Sequence, residues 1–191
     1  MRISLLLAAS LLVTPLQAAT WQLNPTQSQV SFTTIKNKHI AENNTFGSIN
    51  ATLNEQGKFA FTIDLESVNT AIPIRDERMK EHLFNTKSFT QATFNAQVDV
   101  KALDTLNVGD SKKLSISGDI SLHGQSQPLS ATVMVSKLKD NKLLVSSLAP
   151  MLLKADDFKL IAGLNKLQEL AGLKSISKTV PVSFVLTLVQ K

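Results

Sequence analysis

Apolar and polar residues alternate with a period of two along much of this chain, the mark of strands with one buried face. Phe59, Phe61, Ile63 and Leu65 alternate with Lys58, Ala60, Thr62, Asp64 and Glu66. Leu114, Ile116, Gly118, Ile120 and Leu122 form a second ladder, and Val180, Val182, Phe184, Leu186 and Leu188 a third. Val30 with Phe32, and Phe94 with Ala96, Val98 and Val100, give shorter ones. Turn residues fall between the ladders, at 54–57, at Gly109 and Asp110, at 124–128, and at Asp140 and Asn141. Strands joined by such short turns pair antiparallel. The pattern predicts an all-β fold, an antiparallel barrel of about eight strands, a number that closes around side chains or one small ligand.

Two segments depart from this period. Residues 74–85 follow Pro73 and place Met79, Leu83 and Phe84 at helical spacing. Residues 160–172 put Leu160, Leu164, Leu167, Leu170 and Ala171 on one face before a glycine stop. Both read as short amphipathic helices packed on the barrel or over its mouth. The polar face of the second, with Lys159, Lys166 and Glu169, is balanced in charge, so packing is expected there rather than membrane docking.

At the N-terminus Arg2 precedes an apolar run over residues 3–13, and small residues follow at Ala18 and Ala19. This is the pattern of a secretory signal peptide, expected over residues 1–19 and cleaved near Ala19 or Thr20. The run is shorter than the roughly 20 residues a membrane-spanning helix needs. The expected product is a periplasmic or secreted protein with a single domain over residues 20–191. Its size allows a sizeable core without covalent staples. There is no cysteine, so neither disulfides nor a lipid-modified cysteine contributes.

The net charge of +5 falls by one with the loss of Arg2, and lysines are spread along the chain. That distribution reads as a solvated surface; nucleic acid is not an expected partner, and membrane contact is expected to be at most transient.

The order of elements, and certain residues within them, carry a resemblance. Trp21-Gln22-Leu23-Asn24-Pro25 and Ser28-Gln29-Val30-Ser31-Phe32 open the chain, followed by Phe46-Gly47. Ile74-Arg75-Asp76-Glu77-Arg78-Met79 is followed by Phe84, Phe89 and Thr93-Phe94. The stretch from Leu114 to Gly124 and the closing Val180-Pro181-Val182-Ser183-Phe184 complete the set. From about Trp21 to Val189 the chain resembles the YceI-like family of polyisoprenoid-binding proteins, whose members have an extended lipocalin-like barrel. Thr90 stands where that family usually has proline, and Ala155–Phe158 replaces an element containing Asn and Arg. The resemblance implies a periplasmic or secreted carrier of an amphiphile with a long apolar tail: a polyprenyl chain, a quinone or a fatty-acid derivative. It also admits a homodimer.

Nine phenylalanines and no tyrosine make an aromatic set without hydroxyls, suited to a dry interior. Phe32, Phe46, Phe59, Phe61, Phe84, Phe89 and Phe94, with Met79, Ile116 and Phe184, are the expected apolar lining. Each of them could equally be ordinary core. At about 0.8 kcal/mol per buried methylene, a few isoprene units would give on the order of 10 kcal/mol before binding costs. Arg75, Arg78 and His82 are the candidates for a ligand head group, the arginines through charge-assisted bonds to phosphate or carboxylate. Asp76 reads rather as a cap or first-turn charge of the helix, and Arg75 equally as a residue that pairs locally and fixes the strand-to-helix turn.

His39, His82 and His123 lack metal-ligand spacing, and neither a metal nor a cofactor is expected. There is no G-x-S-x-G, P-loop or dinucleotide fingerprint, and Ser121 with His123 has no identifiable orienting acid. Binding is therefore expected rather than catalysis. An exported enzyme acting on the same lipid predicts titratable groups with shifted pKa in the pocket. A filled barrel serving as a scaffold predicts no internal cavity.

Overall fold

The alternating segments become twelve antiparallel strands in the computed structural model, which describes residues 21–191. The expected leader lies outside the described residues. In chain order the strands are β1 (Trp21–Leu23), β2 (Gln29–Lys36), β3 (Ile40–Phe46), β4 (Ile49–Leu53), β5 (Lys58–Asp64) and β6 (Val68–Asn69). They continue with β7 (Gln91–Gln97), β8 (Ser111–Leu122), β9 (Gln125–Leu138), β10 (Lys142–Ser147), β11 (Met151–Lys154) and β12 (Thr179–Gln190). Helices are α1 (Pro73–Arg78), which runs on into a π-helical stretch Met79–Phe84, then α2 (Lys101–Asp104) and α3 (Ile161–Leu170).

Four pairs of consecutive segments act as single interrupted strands. β12 pairs with β1 through Leu188 and with β2 through Val182, on the same side; on its other side it pairs with β10 and then β11. β3 and β4 likewise run together along β2 and β1, and β5 and β6 along β4 and β3. Twelve segments thus give eight strands, each paired with its sequence neighbour, and the β1–β12 pairing closes the ring. The ring is closed, although the first part of β9, up to Thr132, pairs on one side only.

Three of these interruptions have a local cause. Pro25 opens a 3-10 turn between β1 and β2, and Asn24 caps it by accepting from Thr26 N. Thr187 on β12 spans that gap: its backbone N–H donates to Ser28 Oγ at 2.9 Å and its hydroxyl to Gln27 O at 2.9 Å. The breaks in the next two strands lie side by side, with Gly47 N donating to Ser67 O and Ser48 N to Ser67 Oγ. Such paired bulges bend neighbouring strands together.

The long β8–β9 hairpin turns on His123 and Gly124, both at positive φ (51° and 72°), the primed geometry that matches strand twist. The turn expected over 124–128 is therefore only two residues long, and Pro128 sits inside β9 opposite Asp119. Proline is accommodated because β9 bonds only to β8 at that point; β10 joins it from Val133 onward. The ladder expected to reach Val100 ends at Gln97, because Asp99 accepts from Lys101 N and starts the single turn α2. The first helix ends where Asn85 adopts a left-handed conformation (φ 49°), and α3 is followed by Gly172 at φ 60°.

Two buried clusters stack along the barrel. One is built on Val30, Leu53, Val133, Leu143 and Leu188 together with Leu103 of α2. The other joins Phe32 and Leu65 to Met79, Leu83 and Phe84 of the helical cover and to Phe158 and Leu160.

Candidate functional site

Between and beside these clusters the barrel holds a cavity of about 520 Å³, within the range of sites that enclose small organic ligands. Its floor includes the buried side chain of Leu103. At the other end Ile72 and Ile74 line it while remaining 44% and 59% exposed, which marks the mouth. Leu164 and Leu167 of α3 join Met79, Leu83 and Phe84 in covering the rest of that end.

The lining follows from strand phase. Phe59, Phe61 and Ile63 of β5 point inward together, and Phe61 lies directly opposite Phe94 of β7. The rings of Phe59 and Phe94 meet edge to face, with centroids 6.4 Å apart. A second aromatic run crosses from Phe32 to Phe46 (5.1 Å) and on to Phe84 (6.2 Å). Ile116 and Phe184 line the cavity as well. The lining is predominantly apolar, which suits a chain of methylenes.

Phe89 does not line the cavity, and the expectation for it is corrected. It follows the left-handed Asn85 through a turn, and its ring packs on the His123 imidazole at 4.5 Å and beside Gly124, bracing the β8–β9 hairpin. His82 also faces away from the cavity, with its side chain partly exposed and 3.7 Å from the Glu81 carboxylate. Both arginines line the mouth, but each is engaged by the protein. The Arg75 guanidinium bonds Glu42 and donates to Thr70 O at 2.7 Å, while Arg78 donates to the Leu170 carbonyl at the C-terminus of α3. Asp76 lies in the first turn of α1 and so charges it rather than capping it; its carboxylate accepts from the backbone N–H and the hydroxyl of Thr70, fixing the loop before α1.

The polar residues of this end include several that the period of two did not single out. Glu42 takes both Lys36, at 2.7 Å, and Arg75. The Lys36 ammonium, with the Arg75 guanidinium beside it, holds the Glu42 carboxyl below the ordinary carboxylate range against the opposing effect of burial. Asn44, two residues along β3, is 2% exposed and lines the cavity. Asn44 Oδ1 and Arg75 Nε are both buried without a hydrogen-bond partner, a condition that costs about 1–3 kcal/mol for each such group. Counting back by two from the inward Phe46 reaches Asn44 and Glu42, and that phase was the available signal.

The YceI-like domain profile matches residues 21–188. A solved structure of a polyisoprenoid binding domain from Saccharophagus degradans, implicated in plant cell wall breakdown, is 34% identical, with a TM-score of 0.87 over 90% of this chain and 98% of that one. Burkholderia cenocepacia BcnA is 18% identical, with a TM-score of 0.66 over 86% and 98% of the two chains. A Campylobacter jejuni YceI protein, also 18% identical, superposes with a TM-score of 0.53 over 78% and 84%. These last two share the fold. No curated protein sequence matches the chain.

Proposed function

Because the chain belongs to the YceI-like domain family, we propose that it is an exported binding protein that holds the long apolar tail of an amphiphile, of polyisoprenoid type, inside its barrel. One observation carries the reading: a cavity lined by apolar side chains runs from a mouth at Ile72 and Ile74 to a floor at Leu103. Shape and apolar length set affinity in such a site, and polar groups at the mouth discriminate head groups.

The relative that binds polyisoprenoid supports this ligand class, and the leader pattern of residues 1–19 supports a periplasmic or secreted location. Two other readings fare less well. A filled barrel acting as a scaffold has no use for a cavity of this size. Catalysis on the lipid would need free acid–base groups at the mouth, whereas Glu42, Arg75 and Arg78 are bonded to each other or to backbone carbonyls.

The test is native mass spectrometry of the protein recovered from its own cells, compartment by compartment, followed by organic extraction. A stoichiometric polyprenyl, quinone-type or acyl species on exported protein is the expected result. Protein that comes out empty and takes up none of a panel of such lipids would overturn the proposal.

A further inference from the structure

Three isoleucines stand exposed around the mouth of the barrel. Ile72 precedes α1 and Ile74 lies in its first turn; both line the cavity with 44% and 59% of their surface still open. Ile40, 49% exposed, begins β3 opposite Lys36, which also lines the cavity. Two residues further on, Glu42 bonds Arg75, the neighbour of Ile74. Single aliphatic residues scattered over a surface need no explanation, but grouped around one opening they leave an apolar patch uncovered. Exposed lysines adjoin this patch. The segment after α3 is tied to the β2–β3 turn: Asn37 N donates to Ser175 O at 2.9 Å, and Lys174 N to Asn37 Oδ1 at 2.8 Å. Lys38 and Lys174 are thereby brought to adjoining turns, both exposed, and neither ammonium has an ion-pair partner among the described residues. No acidic residue occurs over 36–41 or 171–178. The acidic groups of β3 and α1 are engaged: Glu42 by Lys36 and Arg75, Asp76 by Thr70, and Glu77 by Lys80.

We propose that the mouth docks reversibly on the surface of an anionic bilayer, with Ile40, Ile72 and Ile74 entering the acyl boundary and Lys38 and Lys174 meeting lipid phosphates. Interfacial binding of this kind adds buried apolar area to attraction between lysines and anionic lipid, and each part alone is weak. In the docked orientation the opening faces the membrane, so a long apolar tail passes between bilayer and cavity without crossing water. The far end of the barrel also exposes an aliphatic residue, Val108, near Lys112 and Lys113, but there the floor at Leu103 closes the cavity. The choice of a bilayer as the partner rests on the lipid-carrier reading above.

The experiment floats the mature protein with vesicles of phosphatidylcholine, alone or mixed with phosphatidylglycerol, at low and high salt. Binding should require phosphatidylglycerol and fall at least roughly tenfold at high salt. Lys38→Glu with Lys174→Glu, and Ile72→Ser with Ile74→Ser, should each weaken it at least roughly tenfold. Lys112→Glu with Lys113→Glu, at the far end, should leave it unchanged. Ile74→Trp gives a second readout that needs no loss of binding: its fluorescence should shift to the blue on phosphatidylglycerol vesicles. Equal binding to both vesicles, binding to neither, an equal loss in the Lys112 and Lys113 variant, or a Trp signal that does not move overturns the docking surface. Uptake of geranylgeraniol from cyclodextrin, measured in parallel, separates the two readings. Uptake without vesicle binding removes the docking and leaves the carrier; vesicle binding at the mouth without uptake keeps the docking surface and removes the carrier.

Discussion

Gly163 of α3 lies directly against the carbonyl of His82: a Cβ built on the glycine would come within 2.3 Å of that oxygen and 2.8 Å of Leu83 Cα. The two helical segments over the barrel therefore meet backbone to backbone. Arg78 adds a second tie by donating to Leu170 O at 3.2 Å, where a cation also suits the helix terminus. The cover of the cavity is thus a packed pair of helices.

Gly163→Ala tests that contact. Helix propensity alone favours alanine by about 1 kcal/mol, but the neighbours are backbone atoms that cannot swing aside. The expected net effect is a loss of about 1–3 kcal/mol, read from denaturant unfolding. A gain in stability would mean the helices separate easily.

Filling the cavity should divide binding from folding. Ala131 of β9 lines the cavity, and Ala131→Phe would place a ring in space that no side chain occupies. Stability should fall by no more than about 1–3 kcal/mol, while uptake of a long-chain lipid falls at least roughly tenfold. Unchanged uptake would place the lipid elsewhere.

Phe89 provides the contrast to Phe46. Phe89→Leu loses the stacking on His123, and should lower stability by about 1 kcal/mol with lipid affinity unchanged. Phe46→Leu alters the aromatic run of the cavity and should change affinity for the same probe. Equal effects on binding would contradict the separation of the two sites.

Glu42 gives the protein an acid-sensitive contact. Its pKa is lowered in the folded state from an ordinary value of 4.5, so its contribution to stability is present above that value and is lost as pH falls through the depressed folded-state pKa. The carboxylate is a third exposed, which limits the contribution to about 1 kcal/mol or less. Glu42→Gln should unfold more readily than the wild type at pH 6–7, with the gap closing on acidification below about pH 4.5. Melting curves across that range check it; a constant gap would point to packing.

Thr187→Val examines the break between β1 and β2. The buried hydroxyl bonds Gln27 O, and replacing it with a methyl removes a hydrogen bond worth about 0.5–1.5 kcal/mol. Thermal unfolding measures it, and a neutral result would mean water reaches Gln27.

The inward residues of β5, β8 and β12 were legible because alternation is a local property: side chains two apart share a face whatever the strand pairs with. The helical cover was legible through the spacing of Met79, Leu83 and Phe84 and of Leu160, Leu164 and Leu167. Phe89 was not, because an aromatic residue in a turn has no strand phase to read. The polar end was not singled out either, since β3 reads Ile-Ala-Glu-Asn-Asn-Thr-Phe without an apolar alternation of its own, and only the phase of Phe46 points to Asn44.

Local pattern therefore decided which side chains of the regular strands face the interior, and so the apolar character of the lumen. Whether that interior is filled depends on ring closure by β12 on β1, on four interruptions that preserve one continuous ladder, and on helices held above it at Gly163. The polar end depends on distance in the same way: Arg75 meets a carboxylate 33 residues away, on a strand with no apolar signature of its own. Those relationships come from packing between segments remote in the chain, where the volume left over is set by the whole barrel and not by any one strand.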